Sequence, residues 1–512
     1  MKQLNLFLFL IFLHSCSFNV IAQPGLIDSS FGINGHTNSF PWAGMVIVQP
    51  NDRILIVGGT GINFGLCRFK SNGKVDSSFG NNGRATGNSD PDGKESSGMV
   101  LQQDGKIVVS SSGVNADQFV LARYNSNGQL DHSFGTNGLS KTGWGSFIQY
   151  PRLAIQSDGK IIAGGRGFIS GSTRDIILIR YNTDGSLDNS FGNGGKVNTP
   201  LTRPIADCAS IKVQPDGKIV VVGLSDTIGS SYHWKYAMAR YNTDGTLDNS
   251  FGTGGLVEPF SSTYYPEGIL YSVLIQPDGK IVAAADYFDP DFAYEGFACI
   301  IRFKTHGTID SSFGVNGLVL EDFDTAFIGS GSSFADLILQ PDNKIITVGM
   351  LHYNFNDSTC MAMARYNNNG SIDTTFGLNG RVVIYDGGGA LWSVALQSTG
   401  KIISTTGYVY RFLNDPDLGT VDLSVSDNPL LIYPNPIQSQ ASLQYTLTQE
   451  EKISIELFEM QGKLVQQFIT NETRATGKHE EVLHLNELLP AGSYILSIGN
   501  GKNSQGVKIV KE

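Results

Sequence analysis

The stretch Asp248-Asn249-Ser250-Phe251-Gly252-Thr253-Gly254-Gly255 decides the fold, because near copies of it recur along the chain. The shared pattern is Asp-x-Ser/Thr-Phe-Gly-x-x-Gly, and its seven copies begin at Asp28, Asp76, Asp131, Asp188, Asp248, Asp310 and Asp373. The spacing grows from 48 residues between the first two copies to 63 residues between the last two. Such self-similarity indicates a repeat architecture.

Two further elements accompany the copies. A Gln-x-Asp-Gly-Lys-Ile pattern or a close variant begins at Gln49, Gln102, Gln156, Gln214, Gln276, Gln340 and Gln397. An arginine followed by an aromatic residue lies at Arg68, Arg123, Arg180, Arg240, Arg302, Arg365 and Arg411. The three elements keep one order, so seven complete units lie between residues 28 and 412.

Each unit is predicted to contain short β-strands joined by tight turns, as one copy illustrates. Residues 211–214 and 218–223 are β-branched runs joined by Pro215-Asp216-Gly217, a hairpin turn with glycine at the left-handed position. Two more strands are expected near residues 236–241 and 256–260. Asn343 and Asp52 replace this glycine in two other copies, and Asn and Asp tolerate positive φ best.

Units of ~40–60 residues with four strands each are typical of β-propeller blades. We therefore predict an all-β protein with a seven-bladed β-propeller at residues 23–413. Residues 36–40 are expected to supply the outer strand of the last blade, because the repeat ends at Phe412 before that strand. Six or eight blades are the alternatives if one end does not pair.

The first 22 residues have the pattern of a secretory signal peptide. Lys2 gives a positive start, residues 4–13 are apolar apart from Asn5, and cleavage is expected after Ala22. The apolar run is shorter than the ~20 residues of a membrane-spanning helix, so the mature protein is predicted to be soluble. A lipoprotein modified at Cys16 is the alternative, although the bulky His14 fits that motif poorly.

The repeat resembles the delta-60 repeat propellers of secreted bacterial proteins. The resemblance rests on Leu-Asp-x-Ser-Phe-Gly-x-x-Gly, Gln-Pro-Asp-Gly-Lys-Ile-Val and Ala-Arg-Tyr, and it covers residues 28–412. It implies a propeller and an exported protein, but no established activity.

A second pattern follows a predicted linker at residues 414–429. Residues 430–512 carry short alternating strand candidates and are predicted to form a small immunoglobulin-like β-sandwich. This segment resembles the type A sorting domain of the Bacteroidetes type IX secretion system, with a motif that includes Pro434, Asn435, Pro436, Gly492 and Tyr494. The resemblance implies export by the type IX machinery, proteolytic removal of the domain, and attachment of the propeller to lipopolysaccharide. An ordinary adhesive sandwich domain is the alternative.

Charge and motifs argue against several functions. A formal net charge of −11 disfavours nucleic acid and anionic membranes as partners. The common signatures of hydrolases, zinc proteases and phosphate-binding loops are not found, and no cofactor or metal is expected. The repeated arginine is predicted to pair with a repeat aspartate. The Asn-x-Asp-Gly segments are predicted to be turns rather than calcium loops, because His306 replaces Asp184 in one copy.

The candidate ligand-binding residues lie where the copies differ, in the longer connections of units four to six. They are aromatic and acidic residues: Tyr232, Trp234, Tyr264, Tyr265, Phe288, Asp289, Asp291 and Tyr353. Aromatic faces beside carboxylates can stack on sugars or hold peptides.

The leading hypothesis is therefore a secreted or outer-surface propeller that binds a glycan or a protein, or acts as a scaffold, without catalysis. An extracellular hydrolase or lyase acting on polysaccharide or peptide is one alternative, with Asp286, Asp289, Asp291 or Glu295 as acid and base. A structural surface or matrix protein is the other, and flat, featureless blade loops would favour it.

Overall fold

The structure is a computed structural model. It describes residues 24–37, 43–60, 63–85, 96–112, 118–144, 148–170, 173–200, 205–226, 234–259, 267–288, 296–321, 323, 331–353, 358–384, 389–414, 431–433, 437–447, 449–459, 464–486, 488–490, 492–499 and 504–511. These residues contain strands and turns but no helix, so none of them forms a helix that could cross a membrane. The predicted cleavage residue Ala22 and the predicted linker after Asn414 lie outside the described residues.

The chain divides into two compact units, at residues 23–415 and from residue 416 to the end. In the first unit, the strands follow one another as successive antiparallel sheets. The first sheet contains β1 (Ala43–Val48), β2 (Ile54–Thr60), β3 (Asn63–Phe69) and β4 (Arg84–Ala85). The second contains β5 (Ser96–Leu101), β6 (Ile107–Ser112), β7 (Gln118–Tyr124) and β8 (Leu139–Gly143).

The third sheet contains β9 (Ile148–Ile155), β10 (Ile161–Ser170), β11 (Thr173–Tyr181) and β12 (Lys196–Thr199). The fourth contains β13 (Ile205–Val213), β14 (Ile219–Asp226), β15 (Lys235–Tyr241) and β16 (Leu256–Val257). One parallel bridge between Arg174 and Ile205 links these two sheets.

The fifth sheet contains β17 (Leu270–Ile275), β18 (Ile281–Phe288), β19 (Gly296–Phe303) and β20 (Leu318–Glu321). The sixth contains β21 (Ser332–Leu339), β22 (Ile345–Tyr353), β23 (Ser358–Tyr366) and β24 (Arg381–Ile384). The last contains β25 (Ser393–Leu396), β26 (Ile402–Thr405) and β27 (Val409–Phe412). Repeated four-stranded sheets of this kind are those of a β-propeller, as the sequence predicts.

The antiparallel order places the repeated and the variable segments at opposite ends of the sheets. The turn between the first and second strands of a sheet and the connection between its third and fourth strands lie at one end, and both carry the repeated motifs. We call this the motif end. The connection between the second and third strands and the passage to the next sheet lie at the other end, which we call the variable end.

The last sheet is completed by the N-terminal segment. Ile27 and His36 form antiparallel bridges with Phe412 and Tyr410, and the Thr37 N–H donates to the Val409 carbonyl at 2.9 Å. This confirms His36 as part of the predicted outer strand, whose residues 38–40 lie outside the described part of the chain. The last sheet is therefore built from both ends of the propeller unit.

Apolar side chains fill the space between successive sheets. β14 is buried at all eight positions, as expected for a strand covered on both faces. A cluster including Ile176, Leu178, Cys208 and Ile219 joins the third and fourth sheets. Another cluster, including Val46, Ile54 and Ile403, joins the first sheet to the last. The core of this unit is thus distributed between sheets rather than collected in one centre.

The second unit consists of two small sheets. One has the order β28 (Leu431–Tyr433), β29 (Gln440–Leu447) and β32 (Gly477–His484). The other has the order β31 (Leu464–Arg474), β30 (Glu451–Glu459), β33 (Gly492–Gly499) and β34 (Ser504–Lys511). Leu443 and Leu483 of one sheet share a buried core with Ile455 and Leu496 of the other.

Candidate functional site

The repeated arginine is part of a buried ionic network at the motif end. Arg240 donates from Nε to Asp248 Oδ2 at 2.7 Å, and its guanidinium lies 4.3 Å from the centre of the Phe251 ring. Its Nη1 also donates to the Thr305 carbonyl of the next sheet at 2.5 Å. Lys218 Nζ contacts the same Asp248 oxygen at 2.9 Å. One arginine therefore joins three motifs and two sheets.

The same network recurs in the other copies. The pairs are Arg68 with Asp76, Arg123 with Asp131, Arg180 with Asp188, Arg302 with Asp310, Arg365 with Asp373, and Arg411 with Asp28. Burial alone raises the pKa of Asp310, but hydrogen bonds from Ser312 and Lys280 and the charge of Arg302 outweigh it and lower this pKa to about 2. The predicted arginine–aspartate pairing is confirmed, and the repeated arginines have a structural role.

The Asn-x-Asp-Gly segments form turns, as predicted. Asp244 Oδ1 accepts hydrogen bonds from the Thr246 N–H at 2.9 Å and the Thr246 hydroxyl at 2.7 Å. Gly245 has a φ of +90°, and a Cβ there would lie 2.9 Å from the Phe191 ring of the preceding sheet. Within the described residues, no cluster of three His, Cys, Asp or Glu side chains could hold a metal ion.

Within the first unit, the first strand of each sheet lines one cavity of about 1600 Å³. Asp336 is the carboxylate among its described lining residues. This carboxylate accepts hydrogen bonds from the hydroxyls of Ser272 at 2.7 Å and Ser393 at 3.2 Å. It also accepts one from the Val394 N–H at 3.0 Å. Asp336 thus connects the inner strands of three neighbouring sheets.

Four aromatic side chains at the last sheet line the variable end of this cavity. Trp392 and Tyr408 are 52% and 39% exposed, which is unusual for such large side chains. The Tyr408 ring lies 5.2 Å from the His36 ring and 6.3 Å from the Tyr410 ring, and all four residues line the cavity. We call Trp392, Tyr408, Tyr410 and His36 the aromatic rim.

The aromatic rim was missed by the sequence prediction, which concentrated on long connections. The second and third strands of the last sheet are joined only by Thr406, Gly407 and Tyr408. This short turn leaves Tyr408 exposed beside the cavity. The sequence signal for this site was that Trp392 and Tyr408 each occur in one copy of the repeat only.

Two of the predicted ligand-binding residues come together. Trp234 precedes β15 and Phe288 ends β18, and their rings pack edge to face with centroids 6.5 Å apart. Tyr353 ends β22 in another sheet, so it belongs to a different part of the variable end. Tyr232, Tyr264, Tyr265, Asp289, Asp291 and the alternative acid Glu295 lie outside the described residues.

The predicted alternative acid Asp286 is buried beside the cavity. Its Oδ1 accepts a hydrogen bond from the Ile269 N–H at 2.6 Å, and its Oδ2 accepts one from the Tyr271 hydroxyl at 2.9 Å. Burial raises the pKa of Asp286 to about 6. Tyr271, rather than Asp286, lines the cavity.

Two of the five predicted sorting residues, Gly492 and Tyr494, lie within the described part of the chain. Tyr494 is buried, and its hydroxyl donates to the Pro490 carbonyl at 2.7 Å, while Gly492 is exposed at the start of β33. The Lys511 ammonium donates to the carbonyls of Asn486 at 3.1 Å and Leu489 at 2.6 Å. Pro434, Asn435 and Pro436 lie outside the described residues.

Two family models match the chain. The domain of unknown function DUF5122 beta-propeller matches residues 49–79, 102–134, 156–191, 214–251, 276–313 and 340–376. The secretion system C-terminal sorting domain matches residues 431–512. The chain combines DUF5122 propeller repeats with a type IX sorting domain. A sorting domain of this kind marks a protein that is secreted or held at the outer cell surface.

The remaining copy of the repeat is divided between the two ends of the propeller unit. Its arginine is Arg411, whereas its Asp-x-Ser-Phe-Gly motif begins at Asp28. A model of one continuous repeat cannot match a copy that is divided in this way.

Comparison with curated proteins finds no match. Among solved structures, PorZ of the type-IX secretion system of Porphyromonas gingivalis is 12% identical, with a TM-score of 0.38, and the match covers 90% of this chain and 58% of PorZ. The polysaccharide lyase Uly1 is 13% identical, with a TM-score of 0.41, over 75% of this chain and 92% of the lyase. Drosophila Semaphorin 1a is 10% identical, with a TM-score of 0.40, over 74% of this chain and 87% of the semaphorin. Such values transfer no activity between proteins.

Proposed function

We propose that this protein is a non-catalytic binding or scaffold propeller, exported by the type IX system and displayed at the cell surface. Its ligand is a glycan or a protein, held at the variable end by the aromatic rim and the cavity behind it. After removal of the sorting domain, the propeller is attached to lipopolysaccharide.

One contrast carries the proposal. The charged residues that recur in every copy are engaged in the ionic network at the motif end. The exposed Trp392 and Tyr408, in contrast, occur in a single copy at the variable end and line a cavity. Exposed aromatic faces beside a concave surface are typical of sites that bind sugars and peptides.

The two alternatives have weaker support. Acid–base cleavage of a glycoside needs two carboxyl groups flanking one bond. The described cavity lining offers Asp336, which is bonded to the inner strands of neighbouring sheets, and Asp286 lies behind Tyr271. A purely structural coat would need no concave site, and the cavity of about 1600 Å³ therefore favours ligand binding.

We also propose that the propeller has seven blades. The seventh would consist of β25, β26, β27 and the segment around His36, which pairs with Tyr410. Two features support this count: first strands from successive sheets share one cavity, and buried side chains join the last sheet to the first. We likewise infer that the two sheets of the C-terminal unit form an immunoglobulin-like sandwich.

A glycan and peptide array probed with the full chain tests the proposed function. We expect a defined class of ligand to bind, and the double substitution Trp392→Ala and Tyr408→Ala to abolish that binding. Leu378→Ala is the matched control, because Leu378 is 78% exposed on the sixth sheet at the motif end. No bound ligand, equal loss in the control, or turnover of the bound ligand would contradict the proposal.

A further inference from the structure

The central cavity extends sideways between the sixth and last sheets. In the first five sheets, its described lining residues all belong to the first strand. In the sixth sheet, Met350 of β22 and Thr359 and Met361 of β23 line it as well. In the last sheet, Tyr410 of β27 also lines it. The cavity therefore reaches into the boundary between these two sheets, and we call this part the side branch.

Methionines form one wall of the side branch. Met350 pairs with Met361 across β22 and β23, so both side chains lie on the same face of the sixth sheet. Met361 belongs to the buried cluster that joins the sixth sheet to the last one. The two methionines therefore lie on the face of the sixth sheet that the last sheet covers.

The aromatic rim forms the opposite wall. Tyr410 belongs to the same buried cluster, and His36 forms a bridge with it. The ring of Tyr408 packs against the rings of both residues. Val394 is another member of the cluster, and Trp392 lies two residues before it, so the two side chains share one face. The aromatic side chains thus face the methionine wall across the side branch.

Short strands in the last sheet leave the side branch open. β22 and β23 of the sixth sheet have nine residues each, whereas β25, β26 and β27 have four each. Nine residues of a strand span ~30 Å and four span ~13 Å. The last sheet therefore covers only part of the sixth sheet. Met350 lies near the variable end of β22 and is only partly buried.

Backbone groups beside the side branch also lack partners. The Gly389 N–H donates to the Thr359 carbonyl at 3.1 Å, and the Leu391 N–H donates to the Gly349 carbonyl at 3.0 Å. Because both neighbours of Ala390 point their N–H groups at the sixth sheet, the Ala390 N–H points away from it. Ala390 is 4% exposed and lines the cavity. Among the described residues, its N–H and carbonyl have no hydrogen-bond partner, which is rare for buried backbone groups.

We propose that the side branch binds a protein ligand through one large apolar side chain, and that the ligand backbone pairs with Ala390. The inference rests on the proposed binding function and selects protein rather than glycan as the ligand. Met350 and Met361 form a flexible apolar wall that adapts to side chains of different shape. Trp392 and Tyr408 offer flat apolar area on the other side.

The chemistry of a peptide fits this site better than that of a sugar. A sugar ring would leave hydroxyl groups unpaired against the methionine wall, which costs free energy. A peptide supplies an apolar side chain, and its backbone also supplies the donor and the acceptor that Ala390 needs. Such pairing resembles strand addition, in which backbone hydrogen bonds give affinity and a pocket for one side chain gives specificity.

Selection of peptides on the immobilised full chain tests this inference, with a phage-displayed library of random nonapeptides as the probe. We expect the selected peptides to share one Leu, Met, Phe, Trp or Tyr. In the most enriched peptide, changing that residue to Ala should weaken binding about tenfold or more, since the apolar burial is lost. Replacing the backbone N–H groups by ester oxygens one at a time should weaken binding about two- to tenfold at one position, since one hydrogen bond is lost there.

A substitution in the protein connects this binding to the side branch. We expect Met350→Gln to weaken binding of the enriched peptide about fivefold or more, because an amide replaces an apolar contact. Met45→Gln is the matched control and should bind like the parent. Met45 is also partly buried and lines the same cavity, but it packs between the first and second sheets. A thermal melt confirms that each variant is folded.

Several results would overturn the inference. Selected peptides that share no large apolar residue, or that keep their affinity when it is changed to Ala, do so even if no variant folds. A folded Met350→Gln that binds like Met45→Gln does so too, and an ester series without effect overturns the pairing with Ala390. If glycans bind through Trp392 and Tyr408 while no peptide is selected, only this inference fails. If neither glycans nor peptides bind, the proposed function fails as well.

Discussion

Replacing Asp28 by alanine should open the propeller at the junction of its two ends. The Asp28 carboxylate accepts hydrogen bonds from Arg411 Nε at 2.9 Å, from the Ser30 N–H at 3.1 Å and from the Ser30 hydroxyl at 2.6 Å. Lys401 Nζ adds an ion pair at 3.1 Å. Alanine would leave the guanidinium of Arg411, whose side chain is 9% exposed, without its carboxylate. Removing one partner of a buried ion pair costs about 3–5 kcal/mol.

Asp248→Ala is the matched control, because Asp248 makes the same contacts to Arg240, Lys218 and Ser250 within a continuous segment of chain. We expect both variants to lose about 3–5 kcal/mol of unfolding free energy, measured by urea denaturation. Only Asp28→Ala should also release the segment around His36, because nothing but non-covalent contacts holds it to β27. Hydrogen exchange at residues 27–37 measures that release. Parent-like stability of Asp28→Ala would refute the reasoning, as would equal exchange at 27–37 in both variants.

Two further predictions concern buried charged groups. The pKa of Asp286 is raised from 3.8 to about 6, so the stability that this group contributes is present below 3.8 and is lost as pH rises through about 6. Asp286→Asn should therefore gain about 2–2.5 kcal/mol over the parent between about pH 4 and pH 7. Urea unfolding at both pH values measures it, and an unchanged difference contradicts the assigned pKa. Lys511→Met should cost the C-terminal unit about 1–3 kcal/mol, since the carbonyls of Asn486 and Leu489 lose their donor. Hydrogen exchange at residues 486–490 measures this, with the exposed Lys478→Met as control, and equal exchange in the two variants contradicts it.

The architecture was predictable because each repeated residue has one local role. Asn343 and Asp52 were expected to take the left-handed conformation of the missing glycine, and their φ angles are 66° and 60°. The repeated arginine and aspartate are eight residues apart in most copies, so the turn that follows the third strand of a sheet brings them together. Because the motifs occur seven times, each assignment could be compared across seven copies of the sequence.

The site was less predictable because its residues occur once. Asp336 and Ser393 are 57 residues apart and meet only when one sheet packs on the next. Trp392 was not proposed as a ligand-binding residue, since nothing in its own segment distinguishes a buried tryptophan from an exposed one. Its N–H donates to the Thr405 carbonyl at the end of β26, and its side chain is 52% exposed beside the cavity. Contacts between copies, rather than within them, bring the residues of this candidate site together.

The division of the last sheet between both ends of the propeller has a consequence for the order of folding. Asp28 and Arg411 are separated by 383 positions, so their contact closes almost the whole propeller chain. The entropic penalty of such a closure grows with loop length, and contacts between distant residues slow folding. The early sheets can form from local hairpins, whereas the last one must wait until residue 412 has been synthesised. Until then, the segment that follows the predicted signal peptide cannot pair with β27, which is its partner strand in the structure.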